Sequence, residues 1–388
     1  MTNAEILDPV RPSIRDHLTE PAPAAVRPTP PATAAAAVAL APPTPTPVAL
    51  PAAVRTTALV PTVTTTVVRT PTAPPPAAPA PGRGSPADAV ARWGRSPVSP
   101  FHCEPENTFV PLPGGGGAGY RPVRRWAIVP TDPAVPRGLE AVALDSLLDR
   151  IAEARRRPAF AAVQEPELYR TAGFHLTPVA DDATVDLGDF SLSGKRMASI
   201  RHSVTSARRA GLRVVPFAPD LAAGVAAVSQ DWLRSKRGGE MGFTLGRFDP
   251  DAIARTECRV VVDTADHVVG FATWLPYADG SARVLDLMRR AEDAPNPTMD
   301  LLIADSLLGF AAAGVDHASL GAVPRSRGRL AERVYPTISL RRYKEKFAPT
   351  WEPLWLAAPS RAMTPRALAA IGAAYCPGGL LSALRRNA

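Results

Sequence analysis

Cysteine is scarce in this chain of 388 residues, which contains only Cys103, Cys258 and Cys376. The three lie far apart, none forms a Cys-x-x-Cys pair, and no histidine cluster lies beside them. This spacing excludes a disulfide framework and a structural zinc site, and we expect no metal site. It also favours a reducing, cytoplasmic compartment, in which thiols stay free.

Long apolar runs are missing as well, since no 18 consecutive residues are uninterruptedly apolar. The alanine-rich stretch at residues 34–50 comes closest, and four prolines break it. Because a spanning helix needs about 20 apolar residues, we expect no spanning segment. The first residues carry Glu5 and Asp8 where a secretory signal needs positive charge, so we expect no such signal.

Acidic residues are rare in the first 100 positions, which hold five of them and 22 of the 45 prolines. A stretch of this composition cannot bury enough apolar surface to offset the entropy of ordering it. We therefore predict that residues 1–98 form a disordered tail rich in proline, alanine and threonine. The remaining residues suffice for two domains of ordinary size.

Lysine is the fourth scarce residue, with four copies among 44 basic side chains, and the net charge is +8. The positive charge is concentrated in two segments. Residues 190–219 hold six basic side chains and no acid, and residues 325–346 hold eight against two glutamates. Such excesses indicate an anionic partner, namely nucleic acid, phosphate or lipid head groups. Two solvated arginine faces are the alternative.

Ordered structure is expected to begin near Trp126. From there to Leu187 the hydrophobic pattern alternates strand, helix, strand, helix, strand, which predicts a first unit within residues 99–190. The glycine run at residues 114–117 lies between prolines and lacks a following Gly-Lys-Ser/Thr. We therefore interpret it as a flexible loop and not as a phosphate-binding loop.

A second α+β unit is predicted over residues 191–360. Its first helix runs from Gly194 to about Ala210, and a second covers residues 221–233. A helix capped by Thr298 and one more strand close the unit. Residues 361–388 are assigned to a C-terminal helix or tail. Three strands joined by hairpin-length turns predict an antiparallel meander before the closing helix, at residues 258–263, 268–275 and 282–288.

Two segments carry candidate chemistry. In the strand Leu285 to Arg290, Asp286 precedes Arg289 by three residues at a sheet edge. Such a carboxylate can accept a proton from an attacking hydroxyl or amine, and the arginine can hold an anion or an oxyanion. A structural ion pair is the alternative. Residues 340–347 alternate basic and aromatic side chains, which is typical of a strand that offers charge to phosphates.

Seven short motifs occur in one order and together resemble one protein family. The ordered series resembles the catalytic domain of phosphatidylglycerol lysyltransferases over residues 126–359. The segments YRTAGF and VDLGDFSL resemble the preceding half of that domain. The seven motifs are FSLSGKRMASIRHSV, EMGFTLGRFD, VVGFATWLPY, VLDLMRR, MDLLIADSLLGFAAAG, SLGAVP and LRRYKEKFAPTWEP.

The resemblance implies a fold of two tandem acetyltransferase-like (GNAT-like) units, which agrees with the two α+β units predicted above. Family members move an aminoacyl group from a charged tRNA to an acceptor. The charged tRNA is a co-substrate, and no further cofactor is expected. The acceptor is usually the glycerol hydroxyl of phosphatidylglycerol. By motif matching, Asp286 and Arg289 are the acid and arginine of the reaction centre, and Glu240 is the loop acid.

Binding of tRNA or phosphate is assigned to the basic segments. The expected partners are a charged tRNA and a phospholipid or small-molecule acceptor. We also expect peripheral contact with the inner membrane face. The assigned side chains are Arg201, Arg208, Arg325, Arg341, Arg342, Lys344 and Lys346.

Departures from the family pattern leave several functions open. Leu354 and Trp355 stand where the family usually has an Arg-Tyr pair, and Arg325 replaces an apolar residue. The resemblance extends to stand-alone relatives such as the valanimycin seryltransferase, so the acceptor is either a small molecule or phosphatidylglycerol. A non-catalytic relative that binds tRNA or membrane, and an acyl-CoA N-acyltransferase, are the alternatives. The latter normally has an Arg-x-x-Gly-x-Gly/Ala stretch, which this chain lacks after the meander.

Overall fold

The computed structural model of the chain describes residues 85–235, 240–325 and 337–375. These ranges form one mixed sheet of eleven strands with helices on both faces. The strands are β1 Thr108–Leu112, β2 Gly116–Val123, β3 Trp126–Val129, β4 Arg157–Val163, β5 His175–Asp186, β6 Arg213–Pro216, β7 Glu257–Val262, β8 Val268–Tyr277, β9 Ala282–Arg290, β10 His317–Pro324 and β11 Thr350–Ala358.

The helices connect the strands and end the described chain. Helix α7 begins at Thr298 and is followed by Gly314 with φ +74°, as the sequence predicts for a helix stop. None of the helices in the described ranges is long and apolar enough to cross a membrane. They are α1 Pro86–Trp93, α2 Glu140–Glu153, α3 Pro166–Thr171, α4 Ala198–Arg209, α5 Ala222–Arg234, α6 Pro250–Ile253, α7 Thr298–Ala312, α8 Thr337–Glu345 and α9 Thr364–Tyr375.

The strand order is β1-β2-β3-β4-β11-β5-β10-β9-β8-β7-β6, and it contains the same arrangement twice. In each unit an antiparallel meander is followed by a helix and by a strand parallel to the meander's last strand. The meander β1-β2-β3 leads through α2 to β4, and β7-β8-β9 leads through α7 to β10. This repeat confirms the predicted α+β class with two acetyltransferase-like units in tandem.

The two units exchange their last strands. Strand β5 ends the first unit, yet it pairs with β10 of the second unit, and β11 of the second unit pairs with β4 of the first. The two exchanged strands also pair with each other along nearly their whole length. The centre of the sheet therefore belongs to both units.

Separate cores cover the two faces of the second unit. On one face α4 and α7 pack on side chains of β7 and β8 that include Val261 and Trp274. On the other face α5 packs on Val260, Phe271 and Leu287. Neighbouring strand residues belong to opposite cores because side chains alternate along a strand.

Three predictions about the first part of the chain and one near its end are wrong. Residues 86–93, assigned to the disordered tail, form helix α1, whose N-cap Ser85 and Asp88 make a capping box. Order begins before Trp126, with β1 and β2, and the glycine run leads directly into β2. Residues 340–347 belong mainly to helix α8 and not to a strand. The part of the tail at residues 1–84, and residues 376–388, lie outside the described ranges.

Candidate active site

A β-bulge in β9 brings Asp286 and Arg289 together. In a regular strand, residues three apart point to opposite faces. Here the pairing with β8 shifts between Ala272, opposite Met288, and Trp274, opposite Leu285. The side chain of Thr273 fills the gap, since its Oγ1 donates to Asp286 Oδ2 at 3.0 Å and accepts from the Leu287 amide at 3.0 Å. The extra residue turns Asp286 to the face of the sheet on which Arg289 lies.

Asp286 has the environment of an acid–base group. It is only partly exposed, and burial raises its pKa to about 6, against the opposing effects of the Thr273 hydroxyl and of Arg289. Its Oδ1 is shielded from solvent and accepts no hydrogen bond of normal geometry among the described residues, although the nearby Gly246 amide also acts to lower the pKa. A carboxylate with this pKa is ionised at neutral pH and is a stronger base than an ordinary aspartate.

Arg289 is buried, with 2% of its surface exposed, and its contacts hold the site together. Its Nη1 donates to Ser229 Oγ of α5 at 2.6 Å, and Nη2 makes an ion pair with Glu240. The guanidinium lies 4.6 Å from the centre of the Trp232 ring. Since both terminal nitrogens have protein partners, Arg289 in this structure braces α5 and the Glu240 loop beside Asp286.

Glu240 fixes the loop beside Asp286. Its Oε1 forms the ion pair with Arg289. The same oxygen accepts a hydrogen bond from the Phe248 amide at 2.7 Å. This one carboxylate therefore ties the two ends of residues 240–248 to β9. The structure brings together the three residues that the sequence assigned to catalysis.

The first unit supplies charged residues to the same place, and the sequence analysis missed them. Glu104 and Glu106 follow a short 3₁₀ helix, Ser99–Cys103, and Arg121 lies on β2. Glu106 pairs with Arg121 at 2.8 Å and also with Arg247 of the Glu240 loop. Their one visible signal was the Glu-Pro-Glu sequence, which lies before the expected start of ordered structure near Trp126, where no pattern placed these residues near β9.

The C-terminal helix α9 supports the loop from behind. Phe243 is fully buried, adopts φ +72°, and packs edge-to-face on Tyr375 with ring centres 5.3 Å apart. The Gly242 amide donates to the Tyr375 carbonyl at 3.2 Å, and the Tyr375 hydroxyl contacts Thr244. The predicted C-terminal helix is therefore a structural part of the site, at least as far as residue 375.

The comparison with protein families decides the classification. A model of the phosphatidylglycerol lysyltransferase C-terminal domain matches residues 89–358. The chain belongs to this family. The expected resemblance is thereby confirmed, and the match begins in α1, well before Trp126.

Individual relatives agree with this assignment. The chain is 30% identical over 210 residues to a phosphatidylglycerol lysyltransferase of Staphylococcus xylosus, a match covering 49% of this chain and 25% of that protein. It is 28% identical over 259 residues to the enzyme of the same name from Bacillus subtilis, covering 61% and 30%. The matched region spans less than a third of the length of these relatives.

A solved structure shows the same fold. It is the C-terminal domain of a candidate lysylphosphatidylglycerol synthetase from Agrobacterium fabrum, with a TM-score of 0.68 and 24% sequence identity. The match covers 76% of this chain and 98% of that domain.

The basic residues near the end of this lysyltransferase-family domain do not form the predicted phosphate-binding strand. Helix α8 turns Lys344 inward, where its Nζ donates to the Gly321 carbonyl at 2.7 Å. Burial lowers the pKa of Lys344 to about 8, with Asp182 opposing the change. Lys346 pairs with Asp300 at 2.9 Å. Lys344 is therefore a buried structural residue in this structure and not a surface phosphate ligand.

Arg341 and Arg325 share one acid. Arg341 lies 3.3 Å from Asp181 and stacks 3.9 Å above the Trp351 ring, and Arg325 also pairs with Asp181. Arg342 is exposed on α8. Of the basic residues assigned to this segment, Arg325 and Arg342 are exposed, and Arg325 is paired with Asp181.

Helix α4 carries the other basic set, on the face of the sheet opposite Asp286. Arg201 is exposed and donates to the Leu192 and Gly194 carbonyls, and Arg208 lies 4.0 Å from Asp305. An open cleft of about 310 Å³ lies beside α4, lined in part by His202 and Lys346. The structure therefore separates the basic α4 surface from the Asp286 cluster.

Proposed function

We propose that this domain transfers an aminoacyl group from a charged tRNA to a hydroxyl acceptor, with phosphatidylglycerol as the first acceptor to test. The observation that carries the proposal is Asp286, a carboxylate with a raised pKa on a bulged strand beside a braced arginine. The names of the family relatives favour lysine as the group and phosphatidylglycerol as the acceptor.

The proposed chemistry needs a positioned base and no acyl-enzyme. An aminoacyl ester is already activated, so the enzyme aligns the acceptor oxygen with the ester carbon and removes one proton. Asp286 takes that proton as the carbon–oxygen bond forms, and the tRNA ribose hydroxyl leaves with a proton returned to it. Arg289 and Glu240 keep Asp286 in place during this exchange.

An acyl-CoA donor fits the structure less well. The free amides at the N-terminus of a helix favour an anionic ligand such as a pyrophosphate, and an acyl-CoA enzyme is expected to use the helix after the meander in this way. Here that helix, α7, carries Asp300 in its first turn, with 5% of its surface exposed. A buried carboxylate at this position repels a pyrophosphate, although Lys346 neutralises part of its charge.

Exposed basic side chains of α4 and of the segment just before it offer a surface to the RNA backbone. Lys195, Arg196, Arg208 and Arg209 are exposed, and the described part of residues 190–219 contains no acid. Contacts of this kind hold phosphates without reading sequence, and their strength falls with salt. The single-stranded end of the tRNA then has to reach the Asp286 face from there.

The deciding experiment uses the purified chain, labelled lysyl-tRNA and vesicles containing phosphatidylglycerol. Label in the organic phase supports the lipid acceptor, and label in a soluble product, with a metabolite extract in place of vesicles, supports a small-molecule acceptor. The Asp286→Asn variant is expected to lower the rate by about 100-fold or more, as loss of a general base does. Asp266→Asn is the matched control, because Asp266 is an exposed acid paired with Arg213.

Failure of transfer from every charged tRNA tested, into lipid or soluble fractions, would contradict the proposal and favour a non-catalytic relative that binds tRNA or membrane. A second arm measures thermal stability with acetyl-CoA. A raised midpoint with the thioester, together with none for charged tRNA, would instead favour an acyl-CoA transferase.

A further inference from the structure

The backbone at Gly246 lies directly on the carboxylate of Asp286. A Cβ built on Gly246 would overlap the Oδ1 and Cγ atoms of Asp286, so a larger residue does not fit there without movement. This contact covers Oδ1, which is shielded from solvent. The segment around Gly246 therefore controls how much of the reacting carboxylate is open.

The residue after Gly246 anchors this segment to the other unit. Arg247 makes an ion pair with Glu106 through Nη2, and the same nitrogen lies 3.8 Å from Glu104 Oε2. Glu106 is held in turn by Arg121 of β2, whose side chain is 8% exposed. Two acids of the first unit thus face two arginines, one from each unit.

Glu104 lies within electrostatic reach of Asp286. Burial raises the pKa of Glu104 to about 7, the charge of Asp286 adds to the rise, and Arg247 opposes it. Arg247 is thus the cation through which the loop that covers Asp286 is held to the first-unit acids.

We propose that Arg247 is a positioning residue of the reaction centre: its pairing with Glu106 and Glu104 of the first unit holds Gly246 over Asp286 and so sets access to that carboxylate. The statement that Asp286 lies at a reaction centre rests on the proposed function. The geometry that it invokes is independent of that function.

The test measures how fast Asp286 is modified by a water-soluble carbodiimide with an amine nucleophile, quantified by peptide mass spectrometry in the full chain. Arg247→Gln and Glu106→Gln are each expected to speed labelling of Asp286 about five- to tenfold, as loss of a charge-assisted hydrogen bond would. Arg247→Lys, which keeps the charge, is expected to show a rate of Asp286 labelling close to that of the wild-type chain. Arg213→Gln is the matched control, since it also removes an ion pair between an arginine and a carboxylate, here Asp266 at an exposed turn.

Labelling of Asp286 at an unchanged rate in folded Arg247→Gln overturns the proposal, and so does an equal increase in Arg213→Gln. If Arg247→Gln does not fold, Glu106→Gln decides in its place, and an unchanged labelling rate in that variant overturns the proposal. Where lysyl transfer is detected, Arg247→Gln is expected to lower kcat with little change in the KM for tRNA. Because labelling needs no transfer activity, its result stands even if the transfer assay fails.

Discussion

At the scale of single residues, the burial of the Asp286 carboxylate lowers folding stability at neutral pH. Its pKa is about 6 in the folded chain against an ordinary 3.8. The folded state therefore binds the proton more tightly than the unfolded state, and stability is lost as pH rises from about 4 through 6. We expect Asp286→Asn to be more stable than the unmodified chain at pH 8, by about 1–3 kcal/mol at about 1.4 kcal/mol per pKa unit.

Urea unfolding at pH 8 and at pH 4.5 checks this expectation. The gain should shrink at the lower pH, where most of the wild-type side chain is protonated. A variant that is less stable at both values would show that the Asp286 carboxylate stabilises the fold, and it would contradict this expectation.

At the scale of single elements, the bulge in β9 depends on one hydroxyl. Thr273→Val keeps the shape of the side chain, but leaves the buried Leu287 amide without its acceptor and Asp286 without its donor. We expect a loss of about 1–3 kcal/mol in the free energy of unfolding. Thr273→Ser keeps the hydroxyl and should lose much less. Equal stability of the two variants in urea titrations would contradict this role.

The elements also show what sequence patterns can and cannot determine. The meander and helix α7 were predictable because their periodicity and their turn or capping residues agree. Helix α8 was mistaken for a strand because the basic and aromatic residues alternate, although Leu340, Tyr343 and Phe347 also follow a helical spacing. Strand β11 was missed, since Pro353 interrupts a segment that reads poorly as a central strand.

In the candidate site, too, local patterns identified some residues and missed others. Asp286, Arg289 and Glu240 were found from ordered motifs, whereas Glu104 and Arg121 come from a distant part of the chain. The ion pair of Glu104 with Arg247 is a long-range contact that no local pattern encodes, and Arg121 joins the cluster through Glu106. The bulge is equally hidden, since a strand pattern alone places Asp286 and Arg289 on opposite faces.

At the scale of the whole molecule, the strand exchange makes the two units depend on each other. The repeat of meander, helix and parallel strand was readable as two α+β units. The placement of β5 beside β10 and of β11 beside β4 was not, because either strand could have paired within its own unit. A boundary between residues 190 and 191 therefore separates the two units in the sequence, but strands from both sides of it pair in the centre of the sheet.

This arrangement predicts the behaviour of fragments. A chain of residues 191–388 lacks β4 and β5, so β11 loses both neighbours and β10 presents an unpaired edge in the middle of the former sheet. We expect it to aggregate or to unfold without a cooperative transition in urea, whereas residues 85–388 should unfold cooperatively. Co-expression with residues 85–190 should restore a soluble complex, because the missing strands are then supplied in trans. A sharp, independent transition for the 191–388 fragment would show that β10 and β11 can pair with each other, and that the exchange is not required for folding.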